Sequence, residues 1–125
     1  MSHIRSKDMK PELLVRKLVH SMGYRYRLHQ RQLPGQPDLV FGPKRKVIFV
    51  HGCFWHMHPD SNCIDSRMPK SNREYWIPKL KRNVERDSQH IEALIASGWQ
   101  VLVIWECETK DMSLLKKIVF NFLEK

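Results

Sequence analysis

The sequence predicts an α/β fold in which helices flank a mixed central sheet. Three short apolar segments, at 38–42, 46–50 and 100–106, have the length and the β-branched content of buried strands. Longer segments with apolar residues at helical spacing stand before, between and after these strands. With one further strand near the N-terminus, the predicted order is helix, three strands, helix, strand and helix, which is typical of this class.

The first predicted elements are a helix and a strand. Residues 11–22 predict a helix that starts at Pro11 and stops before Gly23, because proline suits a first helical turn and glycine suits a helix end. Residues 24–29, YRYRLH, alternate tyrosine and leucine with arginine, and this alternation predicts a strand. The segment LPGQP that comes before Asp38 predicts a turn.

A hairpin and a long helix come next. The strands 38–42 and 46–50 are separated by so short a turn that we expect them to be antiparallel. Residues 72–98 predict a long basic helix that ends at Gly98, with Pro78 near its start or at a kink.

The long helix is a crossover connection between two buried strands. Such a crossover would place the strand 100–106 parallel to the strand 46–50 in one sheet. Residues 113–125 predict a closing helix with one apolar face. The sheet should therefore contain both antiparallel and parallel neighbours.

Length and composition indicate a single domain. The chain has 125 residues, of which 42% are hydrophobic and 28% are charged, a globular composition. We expect one domain over 1–125, with residues 1–10 as a flexible N-terminal arm. No apolar run approaches the length of a membrane span, and the N-terminal segment lacks the apolar part of a signal peptide. A cytoplasmic location is therefore expected.

The charge balance favours a polyanionic partner. Lysine and arginine number 22 against 13 acidic residues, which gives a formal net charge of +9. A basic domain of this size suits nucleic acid. The alternative is a basic protein with no nucleic-acid role. Membrane binding is a poorer fit, because no isolated amphipathic segment carries the positive charge.

Soft metal ligands are concentrated after the strand 46–50. Cys53, His58 and Cys63 follow it, and Cys107 follows the strand 100–106. If these strands are parallel neighbours, their carboxyl ends meet and the four side chains form a closed Cys3His set, which is typical of structural zinc. An odd count of three cysteines argues against a disulfide framework. The alternative is that the thiols are ordinary buried cysteines.

A carboxylate and a strand end indicate a second metal site. Asp38 opens one predicted strand, and the next strand ends in Val50 and His51. Nucleases often hold Mg²⁺ in this way, although the usual acid and lysine of the second strand are missing here. Asp38 could instead cap its turn. Glu12 could approach the same place from the first helix, or simply stabilise that helix's N-terminus.

His51 and His56 remain if His58 binds zinc. An imidazole near a metal can move protons at pH 7. Alternatively, either histidine binds zinc in place of His58, or faces solvent.

Three aromatic residues have two possible roles. Phe54 and Trp55 lie between suspected metal ligands, and Trp76 lies near the start of the basic helix. Rings on a stiff loop could wedge between base pairs while nearby cations bind phosphates. The alternative is that they fill the core.

Four ordered segments of the chain, LPGQPDLVF, VIFVHGCFWHMH, EYWIPKLKRNVERD and GWQVLVIWEC, resemble the very-short-patch mismatch repair endonucleases. The likeness runs from about Arg5 to Cys107. It implies a restriction-endonuclease-like core, a structural zinc, and Mg²⁺-dependent nicking of duplex DNA on the 5′ side of the thymine in a T·G mismatch.

The resemblance also implies roles for single residues. Asp38 matches the metal-binding aspartate, and Val50 falls where the second Mg²⁺ ligand is a backbone carbonyl. The catalytic residues would be His51 and His56, with Glu12 as an acidic residue near the active site. Asp87 would orient His56. The zinc ligands would be Cys53, His58, Cys63 and Cys107, and the DNA contacts would be Phe54, Trp55, Trp76, Lys79 and Asn83.

Two departures from the family pattern affect these expectations. The family can place its cysteine two positions after the zinc histidine, where this chain has Asp60; Cys63 comes after a longer insert, and thiolate preference favours it. The arm before the first helix is only about ten residues long, with Met1, Ile4 and Met9 as candidate apolar wedges.

These inferences together predict a mismatch-directed DNA nickase. It would act as a monomer on double-stranded DNA that carries a T·G mismatch, with mismatch-repair proteins as candidate partners. Two other functions fit the same residues. One is a nickase of the same fold, from a defence or mobile-element system, without T·G specificity. The other is a zinc-stabilised DNA-binding protein without catalytic activity.

Overall fold

The computed structural model describes residues 10–28, 30–58 and 71–124. In chain order its elements are α1 (Pro11–Ser21), β1 (Leu39–Phe41), β2 (Lys46–His51), α2 (Arg73–Ala96), β3 (Gln100–Trp105), a 3-10 helix (Glu106–Lys110) and α3 (Met112–Leu123). The three α-helices match the three predicted ones to within one or two residues at most ends. The short 3-10 helix was not predicted.

The sheet is mixed, with strand order β1-β2-β3 in the described part of the chain. β1 pairs with β2 antiparallel, as predicted for the hairpin. β2 pairs with β3 parallel, as predicted for the crossover, and the register sets His51 beside Trp105. The carboxyl ends of β2 and β3 therefore meet at one edge of the sheet, and the chain that follows each strand leaves from the same place.

The prediction of a strand at 24–29 was wrong for the residues that the structure describes, 24–28. Among its described residues, the pairing is a single antiparallel bridge between Arg27 and Val40, with N–H···O distances of 2.9 Å in both directions. β1 has only three residues and offers little edge for a longer ladder. The side chains that alternate inward still pack against the core: Tyr24, Tyr26 and Leu28. The alternation reflected a half-buried segment rather than a strand.

Helices cover both faces of the sheet, as predicted. On one face, α1 and α3 pack against the sheet, and their buried side chains include Val15, Val19, Leu115 and Val119. On the other face, Leu94 of α2 packs against the strands. Burying side chains of this kind contributes roughly 1.5–3 kcal/mol each before the entropy cost of folding. The second of these cores fixes the position of α2 against the sheet.

The end of α2 explains why a glycine follows it. Gly98 has a φ of +93°, a left-handed conformation that glycine adopts without strain. The amide of Trp99 donates to the carbonyl of Leu94 at 3.0 Å, and the amide of Gly98 donates to Ile95 at 3.0 Å. This is the paired pattern of a Schellman cap, which turns the chain directly into β3. Of the helices in the part of the chain that the structure describes, none is long and apolar enough to cross a membrane.

Candidate active site

A concave site lies at the edge of the sheet where β2 ends. A cavity of about 210 Å³ opens there between β2, the turn before β1, the loop after β2 and α2. Five of the residues that line it were predicted to act in catalysis, metal binding or orientation: Asp38, Val50, His51, His56 and Asp87.

Asp38 is fixed against the second strand. Its Oδ2 accepts a hydrogen bond from the backbone N–H of Val50 at 2.7 Å. The antiparallel pairing of β1 and β2 brings these residues together, because Asp38 directly precedes Leu39, the partner of Ile48. The carboxylate therefore lies beside the residue predicted to supply the second Mg²⁺ ligand, in a wall of the cavity.

The two spare histidines form a stacked pair. The ring centroids of His51 and His56 are 3.9 Å apart, and the ring planes differ by 8°. His51 is buried, with 7% of its surface exposed. Its pKa is lowered from 6.5 to about 4, first by burial and then by the charge of His56, while the Asp87 carboxylate partly opposes this. His51 is therefore neutral at pH 7.

α2 supplies the partner of the second histidine. Nδ1 of His56 forms a hydrogen bond with Oδ2 of Asp87. Because a carboxylate accepts hydrogen bonds, this contact assigns the proton to Nδ1 and leaves Nε2 with its lone pair when the ring is neutral. The pairing that the resemblance implied for Asp87 is thus present. Ligand atoms of His51, His56 and Asp87 also lie within 4.8 Å of one another, which is compatible with metal binding.

Thiols and an imidazole converge on the far side of the loop that follows β2. Ligand atoms of Cys53, His58 and Cys107 lie within 4.8 Å of one another. The amide of Cys107 donates to Sγ of Cys53 at 3.4 Å, and Sγ of Cys107 lies 3.5 Å from Nδ1 of His58. The meeting of two parallel strand ends brings them together, as predicted. His58, rather than His51, lies with the thiols.

These donors fit zinc by their chemistry, because two thiolates and an imidazole are soft ligands that suit tetrahedral coordination. The two candidates for a fourth ligand, Cys63 and Asp60, lie outside the residues that the structure describes, as do Met1, Ile4 and Met9 of the arm. The indole ring of Trp105 stacks on His58 with centroids 4.3 Å apart and meets His51 edge-on at 5.3 Å. One side chain of β3 therefore links the thiol cluster to the histidine pair.

An aromatic cluster borders the same loop. Ring centroids are 5.1 Å apart for Phe54 and Trp55, 5.3 Å for Phe54 and Trp76, and 5.6 Å for Trp55 and Trp76. Trp55 is 46% exposed, so it does not fill the core. The Asn83 side-chain amide donates to the carbonyl of Trp55 at 3.1 Å and ties the loop to α2. Lys79 is exposed, with its Nζ 5.6 Å from the ring of Tyr75.

Glu12 has a local partner. Its Oε2 forms an ion pair with Arg16 at 2.6 Å, one turn further along α1. It is not among the described residues that line the cavity. A role for Glu12 in the active site therefore stays a prediction.

Five residues at the cavity were not singled out as site residues from the sequence: Gly35, Gln36, Phe49, His90 and Ile91. Helical spacing could have indicated His90, because it follows Asp87 by three positions and shares its face of α2. The glycine and glutamine lie in the LPGQP turn, where the sequence indicated only a change of direction.

Comparison with known proteins agrees with this geometry. The family model described as DNA mismatch endonuclease Vsr matches residues 1–62. The chain is 48% identical to the type II nicking enzyme V.XorIIP of Xanthomonas oryzae pv. oryzae over 124 residues, which cover 99% of this chain and 89% of that protein. It is 40% identical to the DNA mismatch endonuclease Vsr of Escherichia coli over 107 residues, which cover 86% of this chain and 67% of that protein.

A solved structure has the same fold. The catalytic domain of the homing endonuclease I-Bth0305I superposes with a TM-score of 0.65, at 22% sequence identity, covering 91% of this chain and 93% of that domain. This likeness agrees with the mixed α/β core that the sequence predicted, of the restriction-endonuclease-like type. With two curated relatives of 40% identity or more and a matching family model, the chain belongs to the Vsr family of DNA endonucleases.

Proposed function

We propose that this endonuclease nicks one strand of duplex DNA at T·G mismatches in a Mg²⁺-dependent reaction. One observation carries the proposal: a fixed carboxylate, a stacked histidine pair and an exposed aromatic cluster all border the same edge of the sheet. The first two supply hydrolytic chemistry, and the third supplies a surface that can stack on bases.

Hard oxygen donors suit the proposed catalytic metal. The Asp38 carboxylate and the Val50 carbonyl would hold Mg²⁺. A backbone carbonyl can serve as a ligand whatever the side chain is, so this strand needs no second acidic residue. When bound, the ion would neutralise part of the negative charge that builds up at the scissile phosphate. The hydrogen bond from the Val50 amide holds the carboxylate in place before any ligand arrives.

The histidine pair would supply a general base and a hydrogen-bond donor. His56 is the better general base, because the bond from its Nδ1 to Asp87 leaves Nε2 free to take a proton from the attacking water. His51 is neutral at pH 7, so it would act by donating a hydrogen bond to a phosphate oxygen or to the leaving oxygen, and not by transferring a proton. Because the two rings stack and line the same cavity, both proposed functions would act within it.

The zinc would be structural. Cys53, His58 and Cys107, with Cys63 as the fourth ligand, would hold a closed site with no position for water. Such a site would fix the loop between β2 and the thiol cluster. That loop carries His56 and both of its aromatic residues, so one metal would order the catalytic and the DNA-contacting side chains together.

The aromatic cluster would open the duplex. Trp55 is exposed, and Nζ of Lys79 lies 5.6 Å from the ring of Tyr75, which in turn contacts the ring of Trp76 at 5.0 Å. A ring that inserts between base pairs costs a few kcal/mol of unstacking, and a mismatch lowers that cost. Selectivity for T·G would then come partly from deformability, with Lys79 and Asn83 positioned to contact the bases.

A nickase without T·G specificity remains the second candidate, because the relative with 48% identity is named a type II nicking enzyme. The deciding experiment compares a T·G duplex with its T·A control, each with and without Mg²⁺. We expect Mg²⁺-dependent nicking of one strand, much faster on the T·G duplex. Equal rates on both duplexes would indicate the second candidate, and equal rates without Mg²⁺ would contradict the metal assignment.

A further inference from the structure

We propose that a groove between residues 30–36 and α2 binds the backbone phosphate next to the scissile phosphate on the cleaved strand. The inference rests on the proposed function, because it takes the cavity at Asp38 as the place where the strand is cut. The groove itself is defined by side chains that no part of the catalytic assignment uses.

The groove is continuous with the catalytic cavity. It is an open depression of about 620 Å³, and three of its lining residues, Gly35, Gln36 and His90, also line the cavity. A strand whose scissile phosphate lies beside Asp38 would therefore meet the groove as the next depression along its path. The other end of the active site carries the aromatic cluster, so the groove offers the strand a path in the opposite direction.

Close packing sets the position of the groove. Gly35 has a φ of +73°, and a Cβ added there would lie 2.9 Å from Cβ of His90. Only glycine lets the loop lie this close to α2. Two backbone hydrogen bonds of 3.1 Å hold the loop, from Leu33 to Gln30 and from Gln36 to Leu33. The side chains along it are therefore presented by a fixed backbone.

The lining has the chemistry of a phosphate site. Among its described residues are one arginine, Arg31, two glutamines, Gln32 and Gln36, and His90, with no acidic side chain. These groups donate hydrogen bonds, and Arg31 adds a positive charge near the surface. Contacts of this kind to phosphate oxygens make up much of a protein–DNA interface and fix the register of the duplex.

The spacing between Asp87 and His90 along α2 is of the same order as the spacing between neighbouring nucleotides. His90 follows Asp87 by three residues, which is about 4.5 Å along the helix axis. Successive nucleotides of one strand are spaced by about 3.4 Å along the duplex. In the other direction, Trp76 precedes His90 by fourteen residues, or about 21 Å on the same helix face. The helix therefore carries Trp76, Asp87 and His90 in this order along its length.

The test uses T·G duplexes in which a single phosphate near the nick is replaced by an uncharged methylphosphonate. Binding affinity and nicking rate are measured for the wild-type protein and for His90→Ala and Arg31→Gln. At one phosphate adjacent to the cut, we expect the replacement to weaken wild-type binding about tenfold, the scale of one charge-assisted hydrogen bond. Each variant should bind unmodified DNA more weakly than the wild type does. For each variant, the methylphosphonate at this one position should cost much less affinity than it costs the wild type.

Two controls separate a specific contact from general charge. His90→Gln retains a hydrogen-bond donor, so the methylphosphonate should weaken its binding nearly as much as it weakens wild-type binding. Lys117→Gln removes an exposed charge from α3, on the opposite face of the sheet, and should leave the penalty unchanged. If the wild type and both groove variants show the same penalty at every phosphate, the groove inference is wrong while nicking can persist. If no duplex is nicked, the proposed function fails, and the binding measurements still decide the groove.

Discussion

At Asp38, one substitution can remove the negative charge of the side chain while its shape and its hydrogen-bond acceptor are kept. Its carboxylate accepts the Val50 amide, and an asparagine oxygen could accept the same bond without carrying the negative charge. We expect Asp38→Asn to abolish nicking and to leave DNA binding nearly intact, because the charge that would hold Mg²⁺ is lost. Nicking rate and affinity for the T·G duplex measure the two effects.

A matched change elsewhere controls for the loss of one acid. The side chain of Asp111 caps α3 by accepting from the amide of Leu114 at 3.1 Å, and asparagine caps equally well. Asp111→Asn should nick at the wild-type rate. Near-normal nicking by Asp38→Asn would show that this carboxylate does not hold the catalytic metal.

The contact between His56 and Asp87 predicts a second loss of activity. Asp87→Asn offers an amide in place of a carboxylate, so it no longer fixes the proton on Nδ1 of His56. We expect the nicking rate at saturating DNA to fall by about a hundredfold or more, as for His56→Ala and His51→Ala. The rate is measured in a single turnover, so that product release does not mask it.

The same helix supplies a control for this variant. Glu92 is exposed on α2, and Glu92→Gln should leave the rate unchanged. If Asp87→Asn alters only the Mg²⁺ concentration needed for half-maximal activity, Asp87 acts on metal binding rather than on the proton of His56.

Lys46 is a buried cation that the active site does not use. Its Nζ donates to the carbonyl of Phe122 at 2.7 Å and to that of Leu123 at 3.3 Å, and the residue is 3% exposed. It therefore ties the start of β2 to the last turn of α3, where free carbonyls favour a positive charge. We expect Lys46→Met to lower the free energy of unfolding by roughly 1–3 kcal/mol.

Denaturant unfolding tests this expectation, with Lys117→Met as the control because Lys117 is exposed on α3. The control should change the midpoint little, and the folded Lys46→Met protein should nick at the normal rate. An unchanged midpoint for Lys46→Met would mean that the two carbonyls are solvated equally well without the lysine.

Periodicity explains which elements could be predicted. The strands 46–50 and 100–106 each contain an almost continuous apolar run between helical segments, and this pattern predicted both strands correctly. The strand prediction at 24–29 failed because alternating polar and apolar residues indicate only that one side of the segment is buried. An extended chain can be half-buried beside a strand without forming a ladder of hydrogen bonds with it. The 3-10 helix Glu106–Lys110 is too short to show any period.

The parts of the site that could be predicted are those in which the strand topology brings the side chains together. Cys107 could be placed beside Cys53 because parallel strands end at the same edge. The lowered pKa of His51 could not be predicted, because it depends on burial beneath side chains that are distant in sequence. Helical spacing from Asp87 could have indicated His90, but its contact with the loop at Gly35 could not be predicted, because that contact depends on tertiary packing.

The thiol cluster connects metal binding to the stability of the molecule as a whole. It joins the chain after β2 to the chain after β3, so its loss should weaken both strand ends. We expect one zinc per chain by elemental analysis, and a lower melting temperature after removal by a chelator. Folded protein that contains no zinc would contradict this.

Single substitutions identify the fourth ligand. Cys107→Ser and Cys63→Ser should each lower zinc occupancy and melting temperature together, because each removes a thiolate. Asp60→Asn should change neither, since the thiolate is the preferred ligand. The reverse result for Cys63 and Asp60 would assign the carboxylate to the metal.

Under the proposed function, mismatch recognition would depend on the exposed ring, the basic helix and the active site acting together on the duplex. Trp55 is 46% exposed on the loop that carries His56, whereas Trp99 is partly buried against the core beneath α2. We expect Trp55→Ala to reduce the ratio of T·G to T·A nicking by roughly tenfold, the scale of one lost base-stacking contact, with little change in melting temperature. Trp99→Ala is the matched control: it should lower the melting temperature and leave the ratio unchanged in the protein that folds. A stably folded Trp55→Ala variant with an unchanged ratio would show that this ring does not open the mismatch.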